Sequence, residues 1–235
     1  MELQQRIAQV DWSAIAESLN TKGYATVPNI LSADECDALV AQYGDDTSYR
    51  KTIQMENHGY GIGQYKYYAY PLPGIVQQLR EGIYPNIATV ANNWMKALAI
   101  EKTFPNTLSE LTDLCHQHMQ LRPTPLILKY GQGGYNALHQ DLYGEVFFPM
   151  QTVVCLNQPG QDFKGGEFVL VEQRPRMQSK AIVLNPGKGE MLIFTTNYRP
   201  AQGAKGYHRV NMRHGVSELR SGERHTLGVI FHDAK

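Results

Sequence analysis

The chain has 235 residues, equal numbers of basic and acidic side chains (22 each), 42% hydrophobic and 19% charged residues, a composition that excludes disordered and fibrous classes and suits one medium-sized soluble domain. The charge is uneven along the chain: residues 1–150 carry 10 Lys+Arg against 15 Asp+Glu, and residues 151–235 carry 12 against 7. A basic C-terminal part suits an anionic ligand, whether a carboxylate metabolite or a nucleic acid, or else two oppositely charged faces that meet within one domain.

The first nineteen residues lack the basic start, apolar run and small-residue cleavage site of a secretory signal. No apolar stretch reaches bilayer length, so a cytoplasmic location and no membrane partner are expected. Trp12, Ile15, Ala16 and Leu19 fall at helical spacing, and a strand over 24–30 leads to Ser32 and Glu35, a capping-box pair that opens a helix through Val40. The Tyr- and Gly-rich stretch 58–74 reads as a substrate-cleft segment or a packed aromatic strand, and its Gly59, Gly61 and Gly63 do not make a dinucleotide motif. Ile87, Val90, Ala91, Trp94, Met95 and Leu98 form the clearest amphipathic stripe, read as core. From Pro125 the texture changes to short β-rich runs at 126–130, 150–156, 167–171, 181–184, 191–195 and 225–231. Helices gathered before short strands predict an α+β fold, with helices buttressing a β-sandwich or small barrel. Cys36, Cys115 and Cys155 are widely spaced and odd in number, as expected of buried free thiols.

His139 and Asp141 stand two residues apart, and on an extended strand their side chains leave the same face, where one metal can meet both. A second histidine from a distant segment would complete a 2-His-1-carboxylate facial triad, which leaves open positions on iron. That segment is 214–231: His214, a Gly turn at 222, then Arg224 and Thr226 at the start of a strand. It resembles the C-terminal motif of the 2-oxoglutarate/Fe(II)-dependent oxygenase superfamily, in its prolyl-hydroxylase-like branch. The closest overall texture is similar to a bacterial subfamily of oxygenases of damaged DNA. Further likeness lies in Gly23–Ser32, in Gly165-Gly-Glu167 and in Gly189–Phe194.

The resemblance implies a double-stranded β-helix (jelly-roll) core over 125–235, with 1–124 as mainly helical support and substrate-side segments of one domain. It implies Fe(II) on His139, Asp141 and His214, and 2-oxoglutarate held through its remote carboxylate by Arg224 with help from Thr226 and the phenol of Tyr130. A buried carboxylate calls for a permanently charged, bidentate partner, which a guanidinium is. With O₂ as the other cosubstrate, the implied reaction oxidises a substrate C–H bond and releases succinate and CO₂, giving hydroxylation, or demethylation where the carbon is borne on nitrogen. A small molecule or peptide is the expected substrate, with alkylated nucleic acid also open. Against the latter, AlkB-type demethylases carry a second Arg six residues after the cosubstrate Arg, where this chain has Ile230, and the near-neutral total charge lacks the broad basic footprint expected for duplex binding. The nineteen residues between Phe194 and His214 depart from the pattern; they suit a substrate loop, and His208 within them competes as a ligand but lacks the downstream Arg and Thr. A jelly-roll protein using the metal for structure or sensing, or a cupin-like isomerase or hydrolase, remain open alternatives. Oligomeric state is undetermined by the sequence.

Overall fold

In a computed structural model describing residues 1–142 and 144–235, helix α1 (Leu3–Ala8) precedes α2 (Trp12–Lys22), which Asp11 caps by accepting the Ala14 N–H at 3.0 Å. Strand β1 (Tyr24–Val27) is shorter than the sequence predicts. Pro28 has no N–H for the ladder, and Asn29 turns the backbone to φ +53°. Helix α3 (Ala33–Ala41) has the expected capping box, Ser32 and Glu35 each accepting the other's backbone N–H. The amphipathic helix α4 (Gly74–Ala97) begins thirteen residues before the predicted stripe and runs through Pro85. The lost backbone bond is offset by packing, because Val76, Leu79, Ile83 and Tyr84 are all fully buried. Helix α5 is Leu108–Gln117.

Strands β2 (Tyr49–Gln54), β3 (Gly61–Ile62) and β4 (Gln64–Tyr68) also lie in the first 124 residues, so that half is not only helical support. The rest are β5 (Leu126–Tyr130), β6 (Tyr135–His139), β7 (Met150–Cys155), β8 (Phe163–Gly165), β9 (Phe168–Gln173), β10 (Lys180–Leu184), β11 (Met191–Thr195), β12 (Tyr198–Gly203), β13 (Gly206–Val216), β14 (Leu219–Gly222) and β15 (Arg224–Val229). They form a seven-stranded sheet, β1-β11-β7-β15-β5-β4-β2, a six-stranded one, β10-β9-β13-β6-β3 with β12 also on β13, and a two-stranded one, β14-β8. The interposed residues between Phe194 and His214 are a β12–β13 hairpin rather than an irregular loop.

The two faces of the seven-stranded sheet do different work. On β15 and the two residues after it, Leu227, Val229 and Phe231 join a core with the helices, whereas Arg224, Thr226, Gly228 and Ile230 face the space between the sheets. That space is plugged on one side by Val153, Leu192 and Phe194 against Phe168, Leu170 and Met212, and on the other by Tyr130, Phe163, Val216 and Leu219. The cavity lies between the plugs. All three cysteines are free and buried. No helix among the described residues is long and apolar enough to cross a membrane.

The chain end is buckled to α4. Fully buried Arg80 donates to the Ile230 and Phe231 carbonyls and to Asp233 Oδ1, each at 2.8 Å. His225 and His232 are buried nearby in sequence, 4% and 1% exposed, and burial lowers the pKa of each to about 4. Protonating His232 at Nδ1 breaks the bond it accepts from the Phe148 N–H at 3.1 Å. Both folded values lie below the unfolded one, so this stability is complete above about pH 6.5 and is lost as the pH falls toward 4, by about 3 kcal/mol per histidine. We expect the urea midpoint to hold from pH 8 to 7 and to fall between 6.5 and 4.5 as His225, His232 and His214, all lowered in the fold, take up protons, less what His139, raised in the fold, gives back. A flat midpoint across that window would refute the assignment of both histidines as buried and neutral.

Candidate metal and dicarboxylate site

His139 ends β6 and Asp141 follows two residues on, so both side chains leave the inner face of the six-stranded sheet, and His214 faces them from the neighbouring position on β13. A register slip sets three residues of β6 (136–139 steps) against two of β13 (214–216 steps), which turns Asn136 inward as well as His139. The ligand atoms of His139, Asp141 and His214 lie within 4.8 Å of one another. Nε2 of His139 is 3.4 Å from Asp141 Oδ1, and Nε2 of His214 is 3.4 Å from Oδ2. Three donors at right angles around a metal with bonds of about 2.1 Å stand about 3 Å apart, so the cluster is close to the spacing that iron requires. His208 lies on the hairpin opposite Ala201, outside this group.

Neighbouring groups hold the triad ready. Nδ1 of His139 donates to the Ala137 carbonyl at 2.7 Å, which leaves the Nε2 lone pair for a metal. The Gln151 amide donates to Asp141 Oδ2 at 2.7 Å. Gln140, pointing the other way, donates to the carbonyls of Asn197 and Met212 at 3.0 and 2.8 Å and pins the ligand turn to β12 and β13. The ring of His214 packs against Phe194 and Phe168, at 4.8 and 6.0 Å between centres. Burial opposes the charge on Asp141, yet hydrogen bonds and charge from the two imidazoles hold its carboxyl well below the usual range. Burial keeps His214 below its ordinary value, the neutral form that a metal needs, while burial of His139 is outweighed by its bond to Asp141, so its value rises.

Deeper in the same cavity, whose volume is about 440 Å³, lie Arg224, Thr226 and Tyr130. Arg224 is 2% exposed, and its Nε and Nη1 have no hydrogen-bond partner among the described residues. A buried guanidinium with two nitrogens unsatisfied is costly, so this geometry is one that an anion completes. Arg224 pairs in register with Tyr130 across β15 and β5, and the guanidinium carbon is 5.7 Å from the Tyr130 ring centre. Burial, opposed by the Arg224 charge, pushes the phenol up to about 12, so it remains an uncharged donor. Two glycines make room: a Cβ on Gly166 (φ +66°) would stand 3.0 Å from Arg224 Cδ, and one on Gly63 (φ +150°) 2.8 Å from Tyr130 Cδ1.

All six residues singled out in the sequence, Tyr130, His139, Asp141, His214, Arg224 and Thr226, thus line one cavity. Tyr65 and Tyr67, from the aromatic stretch, line it too, edge to face at 5.4 Å. Sequence reasoning missed Gln151, Thr152 and Asn136. The first two were legible only as polar residues inside the otherwise apolar run 150–156, and Asn136 turns inward through the register slip, which no local pattern announces.

The fold is that of the 2-oxoglutarate/Fe(II) oxygenases. A prolyl hydroxylase from Trichoplax adhaerens, solved with a hypoxia-inducible-factor oxygen degradation domain peptide, superposes with a TM-score of 0.60 over 98% of this chain and 92% of its own, at 16% identity. An oxidoreductase of the 2OG-Fe(II) oxygenase family from Burkholderia pseudomallei gives 0.55 over 96% and 93%, at 14% identity. Residues 63–234 match the family Oxygenase-NA, described as an oxygenase catalysing oxidative methylation of damaged DNA, and the chain belongs to that family. Uncharacterized proteins of two Mycobacterium tuberculosis strains are 45% identical over 164 residues, 70% of this chain and of theirs. The protein is therefore an oxygenase.

Proposed function

We propose that the protein oxidises an alkyl carbon borne on a nucleobase nitrogen, using Fe(II) on His139, Asp141 and His214 and 2-oxoglutarate anchored by Arg224. The observation that carries the reading is the buried guanidinium of Arg224 with two unpartnered nitrogens, in one cavity with a facial triad. When bound, the metal supplies activation of O₂ coupled to decarboxylation of 2-oxoglutarate to succinate and CO₂. The side chains do the positioning. Arg224 neutralises the remote carboxylate, with the Thr226 hydroxyl and Tyr130 phenol beside it. Gln151 steadies the Asp141 carboxylate, and Phe168 and Phe194 fix the plane of His214. The apolar walls exclude water from the reacting groups.

The family description supports a damaged base as substrate. Oxidation of an N-methyl group yields an N-hydroxymethyl group, which leaves as formaldehyde while the nitrogen regains a proton; the net change is removal of the methyl group. Tyr60, Tyr65 and Tyr67, with Leu138 and Leu142, line the outer cavity and suit a flat, uncharged ring. Ile230 lines it as well, so no second arginine contacts the base from that position.

The test is succinate release from 2-oxoglutarate by Fe(II)-loaded protein offered methylated oligonucleotides, methylated nucleosides, peptides or free amino acids, with His214→Ala as control. Stimulation by methylated nucleic acid alone, absent in the variant, is expected. Stimulation by peptides or amino acids would keep the oxygenase and replace the substrate class. No turnover with any class, together with no metal-dependent binding of 2-oxoglutarate, would leave a non-catalytic metal-binding jelly-roll protein.

A further inference from the structure

The surplus cations of the C-terminal part are gathered by the sheet register at one end of the six-stranded sheet. Residues 173–213 contain eight basic side chains and one acidic one, Glu190. Three of the eight are already paired: Lys188 with Asp37, and Arg174 and Arg199 with Glu172. The other five, Arg176, Lys180, Lys205, Arg209 and Arg213, are exposed, and none makes an ion pair among the described residues.

Strand β9 ends at Gln173, opposite Asn211. Beyond that point β12 and β13 continue as a two-stranded arm, whose turn lies about 17 Å past the end of β9 at about 3.4 Å per residue. The β9–β10 turn, with Arg176 and then Lys180, leaves the sheet at the same end. Along β13, Tyr207, Arg209, Asn211 and Arg213 are exposed and alternate with less exposed His208 and with buried Val210, Met212 and His214. One face of the strand therefore presents a phenol, an amide and two guanidinium groups to solvent. Arg209 is steadied over the Tyr198 ring, 4.9 Å from its centre.

We propose that this arm and the adjoining β9–β10 turn bind the phosphodiester backbone of a DNA strand whose modified base enters the cavity. The inference rests on the nucleic-acid reading of that cavity. Cations spaced along an extended strand suit a polyanion rather than a small anion; guanidinium and amide groups bond phosphate oxygens, and an exposed phenol stacks on a base. Arg213 and the candidate ligand His214 are adjacent on β13 and face opposite ways, so the β13 cations lie on the outer face of the sheet, and a strand held there delivers its base to the cavity around the sheet end. From His214 to Arg209 is about 17 Å along the strand, the length of about five nucleotide steps of duplex.

The experiment measures binding of a labelled 20-nucleotide DNA, single-stranded and duplex, to Fe(II)-loaded protein between 50 and 200 mM salt by fluorescence anisotropy. The variants are Lys205→Glu/Arg209→Glu and Arg176→Glu/Lys180→Glu, none of which touches the cavity. Each pair is expected to weaken binding tenfold or more at 50 mM salt and to reduce the slope of log affinity against log salt by about 1.4 to 1.8. Unaltered 2-oxoglutarate binding in each variant shows that the cavity is intact, and the other pair serves if one fails to fold. Wild-type affinity in both variants overturns the proposal, as does a wild type that prefers polyglutamate or phosphatidylserine vesicles to DNA. If DNA binding depends on the arm but no methylated nucleic acid stimulates succinate release, the cavity reading fails and the arm stands. If a methylated nucleoside is turned over but both variants bind DNA normally, the reverse holds.

Discussion

Replacing Arg224 by methionine is expected to abolish useful binding of 2-oxoglutarate while making the ligand-free protein more stable. The two effects have one cause. Nε and Nη1 of this 2% exposed guanidinium have no partner among the described residues, so the fold bears a desolvation cost that a bound carboxylate offsets. A carboxylate in bidentate contact is worth roughly 2–5 kcal/mol, so losing it weakens affinity by about 30-fold to more than 1,000-fold. Methionine fills much of the same space, follows the groove left open by Gly166 and carries no charge to bury. Calorimetric titration with 2-oxoglutarate and thermal unfolding, with and without it, check both halves. Wild type should gain about 2.7 kcal/mol of stability at a ligand concentration a hundredfold above Kd, and the variant almost none. Unchanged affinity in Arg224→Met would remove the guanidinium from the anion site, and a large loss of apo stability would mean that it already has a structural partner.

Asp141→Ala and His214→Ala should each remove tight iron binding and bring substrate-stimulated succinate release to background. Loss of an outer partner of a metal ligand costs about 10- to 100-fold in affinity, and loss of a ligand itself costs more. Asp141 carries the only negative charge in the triad and stands 3.4 Å from both imidazole Nε2 atoms. Its removal leaves two neutral donors and no compensation for a divalent cation. The alanine at 141 should fold, since that side chain is 21% exposed. His214 is packed on two phenylalanines, so far-ultraviolet dichroism should accompany its assay. Iron retained per chain after desalting and succinate formed per minute are the measurements. Stoichiometric iron in Asp141→Ala would overturn the ligand assignment.

Much of this was readable along the chain because it depends on short spacing. His139 and Asp141 share a face by the two-residue period of a strand, and Arg224, Thr226, Gly228 and Ile230 do so for the same reason. The capping box at Ser32 and Glu35 and the stripe on α4 are local as well. What failed locally did so for identifiable reasons. The strand beginning at Tyr24 stops before Pro28, which cannot donate to the ladder. The start of α4 was hidden because Pro85 interrupts a helix that Arg80 and the buried face of Val76, Leu79 and Ile83 sustain through contacts remote in sequence.

By itself, then, the sequence determined the class: helices followed by short strands, a ligand pair at strand spacing, and a distant His-and-Arg segment able to complete it. Only the tertiary structure decided that Tyr60, Tyr65 and Tyr67 reach the same cavity as the triad, that the residues interposed before His214 form a hairpin, and that cations dispersed from 176 to 213 collect at one sheet end. Strand pairing and register set those juxtapositions, and they are chosen by burial across the whole sandwich rather than by any window of neighbouring residues.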